Sequence, residues 1–216
     1  MSRRLYSPTR TISNRGDLPR YIGQFPCAKA EASHLVFDSM SALYCGIYLE
    51  WRQDVVSMAF EPHMLTFEAE AGLPELTCHP DYEAILDTGE IEFYEAKYSR
   101  DGLKDAEREK LALTAAHFEQ RGIPYKVIYR EDLETDGFID TIILLRRYGL
   151  MQYPGGVVEA AAQRLAQGPE ATLEAWRSHA ATAGVPTALL YHLLYHQRLP
   201  LVYRPLLPME LQPCRA

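Results

Sequence analysis

Cysteine is scarce in this chain, and no two cysteines form a Cys-x-x-Cys pair. The four lie at positions 27, 45, 78 and 214, a spacing that argues against a zinc ribbon, and we expect them to be reduced. No apolar run approaches the length of a membrane span, and the first residues, MSRRLY, lack the apolar segment of a secretory signal. The sequence therefore predicts a cytoplasmic protein without membrane contact.

Several common functional motifs are also missing. The chain has no glycine-rich phosphate loop, no nucleophilic serine elbow and no dinucleotide fingerprint. It shows no internal repeat and no low-complexity tract. These absences argue against serine hydrolases and against enzymes that use a nucleotide cofactor.

The composition is that of a folded chain of moderate size. Its 216 residues are 47% hydrophobic and 24% charged, which is enough for one medium domain and a small one. The net charge of -7 does not suggest a protein that coats nucleic acid indiscriminately.

A short hairpin carries the candidate chemistry. His79-Pro80-Asp81-Tyr82 is followed by a turn at Asp87-Thr88-Gly89 and then by the strand IEFYEAK, residues 91–97. An acidic residue after proline, a turn, and an acid-x-lysine on the returning strand form the PD-(D/E)xK pattern of magnesium-dependent nucleases. Asp81, Glu95 and Lys97 are its chemical groups.

Strand periodicity explains why this spacing suits a cation site. Side chains two apart leave one face of a strand, so Glu95 and Lys97 point the same way as Ile91 and Phe93. We expect a buried apolar start and a charged end, where Asp81 and Glu95 hold a divalent cation and Lys97 orients water or the transition state. The alternative is an ordinary amphipathic hairpin whose charged side chains are solvated.

Other segments resemble one family. Phe25-Pro26-Cys27-Ala28-Lys29, the stretch LEWRQDVVS at residues 49–57, Phe60-Glu61-Pro62, and the helix end EQRGIPY at 119–125 are similar to segments of TnsA-type transposon-end endonucleases. The resemblance covers roughly residues 3 to 150 well and the remainder loosely.

The resemblance implies roles for individual residues. Asp81 matches the family's metal-binding aspartate, Glu95 its second acidic or amide position, and Lys97 its catalytic lysine. The family carries a catalytic glutamate eight residues before Glu50, where this chain has Ala42. Three explanations stay open: natural loss of activity, a deliberately introduced substitution, or replacement by Asp38, expected one turn earlier on the same helix face.

The implied activity is hydrolysis of the 5′-end strand at transposon ends, with Mg²⁺ as cofactor and Mn²⁺ as its substitute. The implied partners are transposon-end DNA, a DDE-type transposase and an AAA+ transposition regulator, and the implied location is the nucleoid of a bacterial cytoplasm. Two alternatives remain: a non-catalytic assembly subunit that docks DNA and partners, and a restriction or repair nuclease of the same fold.

The first twenty residues are predicted to be a flexible basic arm. They contain five arginines against the single Asp17, and Pro8, Gly16 and Pro19 interrupt any helix. Such an arm can gain affinity for DNA by counterion release, although a merely disordered terminus has the same composition. The candidate DNA-binding residues are Arg3, Arg4, Arg10, Arg15, Arg20 and Lys29.

Periodicity predicts an α/β fold in two domains after the arm. Residues 21–152 are expected to form a restriction-endonuclease-like core with a mixed sheet, and residues 153–216 a winged-helix-like module. In the core we expect helices at 31–50 and 104–121 and strands at 55–60, 64–68, 81–86, 91–98 and 125–129. The boundary is placed at Gln152–Gly156, where proline and glycine break the pattern.

The C-terminal module is expected to contain three short helices and an extended segment. The helices are predicted at 157–167, from Pro169 to 183, and at 187–198, with an extended run at 199–207. On the third helix, four leucines are assigned to the core and the polar face to DNA or a partner. That face comprises Tyr191, His192, Tyr195, His196 and Arg198, and the leucines are Leu189, Leu190, Leu193 and Leu194.

Overall fold

A four-stranded mixed sheet forms the centre of the N-terminal part of the chain. It is seen in a computed structural model that describes residues 21–31, 33–70, 72–168 and 172–201. The strand order is β3-β6-β7-β8, with β3, β6 and β7 antiparallel and β7 parallel to β8. The strands are β3 (Val55–Phe60), β6 (Tyr82–Leu86), β7 (Ile91–Lys97) and β8 (Tyr125–Tyr129).

The motif hairpin forms as predicted from β6 and β7. Gly89 has a φ of 84° in its turn, a conformation that glycine adopts without strain. Tyr82 pairs with Tyr94 in the ladder. Ile91, expected to be buried, is 42% exposed because it directly follows the turn at the outer end of the hairpin. The buried part of β7 therefore begins at Glu92.

Helices cover both faces of this sheet. Helix α1 (Met40–Trp51) packs on the face of Tyr82 and Tyr94, where the Tyr82 hydroxyl donates to the Ala42 carbonyl oxygen over 2.8 Å. Helix α2 (Asp105–Gln120) covers the opposite face, where its Phe118 ring lies 5.1 Å from that of Phe93. Neighbouring strand residues point to opposite faces, so β7 contributes to both layers.

Two small antiparallel sheets flank the centre. β1 (Gly23–Pro26) pairs with β2 (His34–Phe37), and β4 (Leu65–Phe67) pairs with β5 (Leu76–Cys78). The prediction of a continuous helix over 31–50 is wrong in its first part, because backbone pairing with β1 holds His34–Phe37 extended. The helix begins only after Ser39, whose side chain caps it.

A charged network ties the end of α1 to the sheet. The Arg52 guanidinium contacts Asp54, the buried Glu92 and the Tyr94 hydroxyl, and Lys126 reaches Glu92 from β8. Burial alone would raise the pKa of Glu92, but Lys126, Tyr94 and Arg52 outweigh it and hold that pKa below its usual value. Glu92 thus joins three elements.

The described residues divide into two compact units, one up to Asp132 and one from Leu133 onward. The predicted boundary at Gln152–Gly156 lies inside the second unit, because the helix before it (Phe138–Gly149) packs against the helix Thr187–Tyr195. Helix α3 (Arg130–Glu134) spans the division and a 3-10 turn (Thr135–Gly137) follows it. The further helices are α4 (Phe138–Gly149), α5 (Gly155–Leu165), α6 (Leu173–Thr182) and α7 (Thr187–Tyr195).

Helix α7 forms the interior of the second unit. Its four leucines are buried as predicted, but Tyr191 and Tyr195 are buried too, at 3% and 5% exposure, so they do not form the expected outer face. The tyrosines are inside because α4 packs along α7. His192 Nδ1 lies 3.2 Å from the Tyr148 carbonyl oxygen, and His196 Nε2 lies 3.0 Å from that of Gly149. Both imidazoles therefore meet carbonyl groups at the end of α4.

Some predictions fall outside the described residues. These are the basic arm at 1–20, the helix start at Pro169 and the extended run beyond residue 201. None of the helices in the described part of the chain combines the length and apolarity needed to cross a membrane.

Candidate functional site

The sheet brings the three motif side chains to one place. Asp81 immediately precedes β6, and Glu95 and Lys97 occupy the end of β7 that runs beside it. All three line a single cavity of about 710 Å³. The hairpin register therefore produces the cluster that the motif predicts.

Asp81 is fixed by the neighbouring strand. Its carboxylate accepts a hydrogen bond of 2.7 Å from the Ala96 backbone N–H. Burial raises the pKa of Asp81 well above its usual value, and the charge of Glu95 raises it further, while the Ala96 N–H and Lys97 oppose this. An ionised Asp81 is thus costly until a positive charge joins it.

Glu95 and Lys97 form an ion pair, with Lys97 Nζ 2.6 Å from Glu95 Oε1. The two side chains are 18% and 25% exposed, so water reaches both. Burial alone would lower the pKa of Lys97, but Glu95 and Asp81 outweigh it and the pKa is raised. Lys97 is therefore a cation in this site, not a base.

Residues from five other places in the first unit also line the cavity. Lys110 comes from α2 and Arg130 from the start of α3. Asp38 precedes α1, Glu61 follows β3, and His79 follows β5. The charged and titratable residues added in this way are Asp38, Glu61, His79, Lys110 and Arg130. A second cavity of about 230 Å³ shares His79, Glu95, Lys97 and Lys110 with the first. Glu95 and Lys97 consequently stand between two cavities.

The backbone of Glu61 is hydrogen-bonded to the backbone of Asp81. Its backbone N–H donates to the Asp81 carbonyl oxygen over 2.8 Å, and its φ is 43°, in the left-handed region. The residue is 1% exposed although it borders the cavity. A buried glutamate in a sparsely populated backbone conformation is the kind of local strain that folds keep at functional sites.

Ala42 lies on the first turn of α1, and its side chain is almost fully buried at 1% exposure. Its N–H donates to the Ser39 hydroxyl over 3.0 Å. Cys45 follows one turn later on the same helix, and its pKa is raised by burial and then by the charges of Asp81 and Glu95. This part of α1 therefore lies within electrostatic reach of the carboxylates.

Asp38 lines the cavity, although not in the way that was predicted. It precedes the capping residue Ser39, so it lies before the helix and not one turn earlier on the same helix face as Ala42. It nevertheless borders the same cavity as Asp81 and Glu95, and its charge raises the pKa of Asp81.

Four carboxylates at one cavity are the hard oxygen ligands that Mg²⁺ and Mn²⁺ prefer. They are Asp38, Glu61, Asp81 and Glu95. As positioned in the described residues, no three histidine, cysteine, aspartate or glutamate side chains are grouped as a metal centre. The donor chemistry fits a divalent cation, and Asp81 and Glu95 are its first candidates because they share the hairpin.

The predicted DNA-binding residues are placed only in part. Lys29 donates from Nζ to the Arg52 carbonyl oxygen at the end of α1, and burial lowers its pKa. Its amine is thus used within the fold. The five arginines of the arm lie outside the described residues.

The sequence prediction did not include Lys110, Arg130 or His79 among the site residues. Lys110 and Arg130 are separated from the motif by a helix and a strand, and only folding brings them together. His79 stands within the motif itself, and its place before the proline was the one signal available. No family model matches the chain, and a search of curated proteins gave no match.

Proposed function

We propose that this chain is the metal-dependent DNA endonuclease subunit of a heteromeric transposase, with a site that lacks one carboxylate. The observation that supports this most is the convergence of Asp81, Glu95 and Lys97 on one cavity, in the hairpin order of the PD-(D/E)xK pattern. The proposed reaction is hydrolysis of the 5′-end strand at a transposon end during cut-and-paste transposition.

The side chains divide the work by charge. Asp81 and Glu95 would hold Mg²⁺ or Mn²⁺, and the bound cation would supply Lewis acidity and an activated water for attack on phosphorus. Lys97 stabilises the negative charge that grows on the phosphate oxygens. The phosphorus–oxygen bond to the 3′-oxygen breaks, which leaves a 5′-phosphate and a 3′-hydroxyl. Lys110 lines the same cavity and would attract a flanking phosphate.

The α/β core with its mixed sheet supports a restriction-endonuclease-like fold as part of this proposal. The helical second unit is proposed to be a winged-helix-like module that contacts an AAA+ regulator, while a DDE-type transposase cuts the other strand. Both partners follow from the family resemblance of residues 3 to 150.

A second candidate function is a non-catalytic subunit that docks DNA and partners. Ala42 favours it, because a methyl group cannot bind a metal and the side chain is buried where the family has its glutamate. The two candidates differ in one measurable property, the affinity of the site for a divalent cation.

Restoring the carboxylate tests the proposal. Ser39 caps α1 and position 42 is the third helical residue, so glutamine and glutamate both suit the local capping-box geometry. Ala42→Gln is therefore a matched control for Ala42→Glu. Calorimetry should show Mn²⁺ binding at least about tenfold tighter in Ala42→Glu than in Ala42→Gln, one good ligand being worth about 1.4 kcal/mol or more. Adding Asp81→Asn should abolish the gain.

Nicking of supercoiled plasmid in Mn²⁺ provides the activity readout. Ala42→Glu should nick the plasmid, and the chain with Ala42 should be no more active than its Asp81→Asn variant. Equal, negligible Mn²⁺ binding and no nicking in either form would contradict the nuclease proposal and favour the docking subunit. Efficient nicking that no added transposase changes would instead indicate a restriction or repair nuclease.

A further inference from the structure

An exposed aromatic ring stands at the end of the candidate catalytic strand. Tyr98 directly follows Lys97, is 66% exposed, and lines the 710 Å³ cavity together with Asp81, Glu95 and Lys97. An exposed aromatic ring beside a charged site offers a flat surface on which a ligand ring can stack.

The ring is held in place from behind. The Tyr98 carbonyl oxygen accepts the Glu131 N–H over 3.2 Å, which anchors its backbone to the start of α3. The Arg130 guanidinium lies 5.4 Å from the centre of the Tyr98 ring and 5.2 Å from that of Tyr44 on α1. Two cation–π contacts therefore fix Arg130 beside Tyr98.

A second exposed aromatic residue lines the same cavity. Tyr21 is 73% exposed and lies at the beginning of the described chain. The cavity thus has aromatic surface and a guanidinium in one part and a lysine with carboxylates in another. A nucleotide offers the same two halves, a flat base and a charged phosphate.

We propose that Tyr98, supported by Arg130, stacks on an unpaired nucleobase next to the phosphate that Lys97 and the carboxylates address. This inference rests on the proposed nuclease function and specifies its substrate as DNA with a frayed or single-stranded segment. A base paired within a duplex keeps both faces stacked on its neighbours, so only an unpaired base offers a face to Tyr98.

The size of the cavity agrees with this ligand. Pockets of about 300–1,000 Å³ bind small ligands, and this one lies within that range, so it has room for one nucleotide. Lys110 lines both cavities, as Glu95 and Lys97 do, and is therefore available to a neighbouring phosphate. The strand would then cross the Glu95–Lys97 pair from one cavity to the other.

Equilibrium binding to three DNA probes tests the inference, with the full chain, EDTA to prevent cleavage, and fluorescence anisotropy as readout. The probes are a paired duplex, the same duplex with a single-stranded overhang, and that overhang with abasic sites. The overhang probe should bind about tenfold more tightly than the abasic probe, as expected for one stacked base. Tyr98→Ala should lose this preference and Tyr98→Phe should keep it.

Two controls separate stacking from general effects. Met64→Ala removes another exposed apolar side chain, 60% exposed and away from the cavity wall, and should leave all three dissociation constants unchanged. Lys110→Ala should weaken the three probes alike, because a phosphate contact does not depend on base stacking.

The outcomes distinguish this inference from the proposed function. If DNA binds but Tyr98→Ala has the same dissociation constant as the unmodified chain for every probe, Tyr98 does not contact DNA. Only the stacking inference is then overturned. If no DNA probe binds, the stacking inference and the nuclease proposal both fail.

Discussion

Asp81 lowers the free energy of unfolding at neutral pH, because the fold disfavours its charged form. Its pKa is raised by burial and by Glu95, so the folded state binds a proton there more readily than the unfolded chain does. Its contribution to stability is therefore fully present below the unfolded pKa and is lost as the pH rises through the raised pKa of the folded state. At neutral pH the aspartate therefore makes the fold less stable than a neutral side chain of the same shape would.

Asp81→Asn should accordingly be more stable than the unmodified chain at pH 7, by about 1 kcal/mol. The amide oxygen can still accept the Ala96 N–H. The difference should shrink on acidification and vanish below pH of about 4, where aspartate is neutral in both states. Urea unfolding at several pH values measures this.

Asp101→Asn is the control for Asp81→Asn, because Asp101 is exposed in a turn and its replacement should change little at any pH. Addition of Mn²⁺ to the Ala42→Glu background should reverse the order, since aspartate at position 81 can ligate the cation and asparagine there ligates it poorly. An Asp81→Asn variant that is less stable at pH 7 than at pH 4, relative to the parent, would contradict the assignment.

The motif residues show which part of a site local sequence can predict. Asp81, Glu95 and Lys97 lie on two strands of one hairpin, and period-two alternation with a short turn fixes their neighbourhood. Lys110 and Arg130 reach the same cavity from α2 and α3, through tertiary packing that leaves no local pattern. Nor does any local pattern single out Glu92, although it carries the charged network.

Helix α1 depends on close contact at one glycine. A Cβ built on Gly46 would lie 2.6 Å from the Tyr82 hydroxyl oxygen and 2.9 Å from the Phe25 ring. That same hydroxyl donates to the Ala42 carbonyl oxygen, so it joins α1 to the motif hairpin. The approach of helix to strand, and hence of position 42 to Tyr82, requires the absence of a side chain at 46.

Gly46→Ala should therefore destabilise the protein by about 1–3 kcal/mol, as overpacking does in a dense interior. It should also weaken Mn²⁺ binding in the Ala42→Glu background, because α1 must shift away from β6. Gly156→Ala is the matched control: it lies in helix α5, and nothing lies within 4 Å of its added Cβ. That variant should be neutral or slightly stabilising. Equal urea midpoints for the two variants would contradict the argument.

Most strands and helices follow from periodicity, and the exceptions have identifiable causes. The prediction of a strand at 125–129 is confirmed, and that of a helix at 104–121 is confirmed to within one residue at each end. Periodicity places His34–Phe37 in a helix because its apolar residues continue the spacing of α1, but pairing with β1 decides the outcome. The short strands β1 and β5 carry too few residues for a period to show.

For the whole molecule, the sequence predicts an α/β protein with a mixed sheet and a helical second part, and this is confirmed. The point of division is harder to predict. Proline and glycine at 152–156 mark a break between α4 and α5, yet α4 packs with α7 and belongs to the second unit. Proline and glycine end a helix through local backbone geometry, so such a break can be predicted from the sequence. A division between units depends on which helices pack together, and no local pattern shows this.

The proposed binding to DNA depends on how the charge is distributed along the chain. The chain carries -7 overall, so its general attraction to phosphate is weak, and the proposed DNA contact needs a local concentration of positive charge. The first twenty residues carry five arginines against one aspartate. We predict that this arm supplies a large share of the affinity for duplex DNA and most of its salt dependence.

Replacing Arg3, Arg4, Arg10, Arg15 and Arg20 by glutamine should raise the dissociation constant for a duplex probe. It should also flatten the plot of log affinity against log salt by about 0.9 for each phosphate that the arm no longer neutralises. Replacement by lysine is the matched control, because it keeps the charge and hence the counterion release. Unchanged affinity and slope in the glutamine variant would mean that the arm does not touch DNA. Weaker binding by the lysine variant as well would instead indicate that the arginines act through specific hydrogen bonds, since lysine supplies the charge without the planar fork.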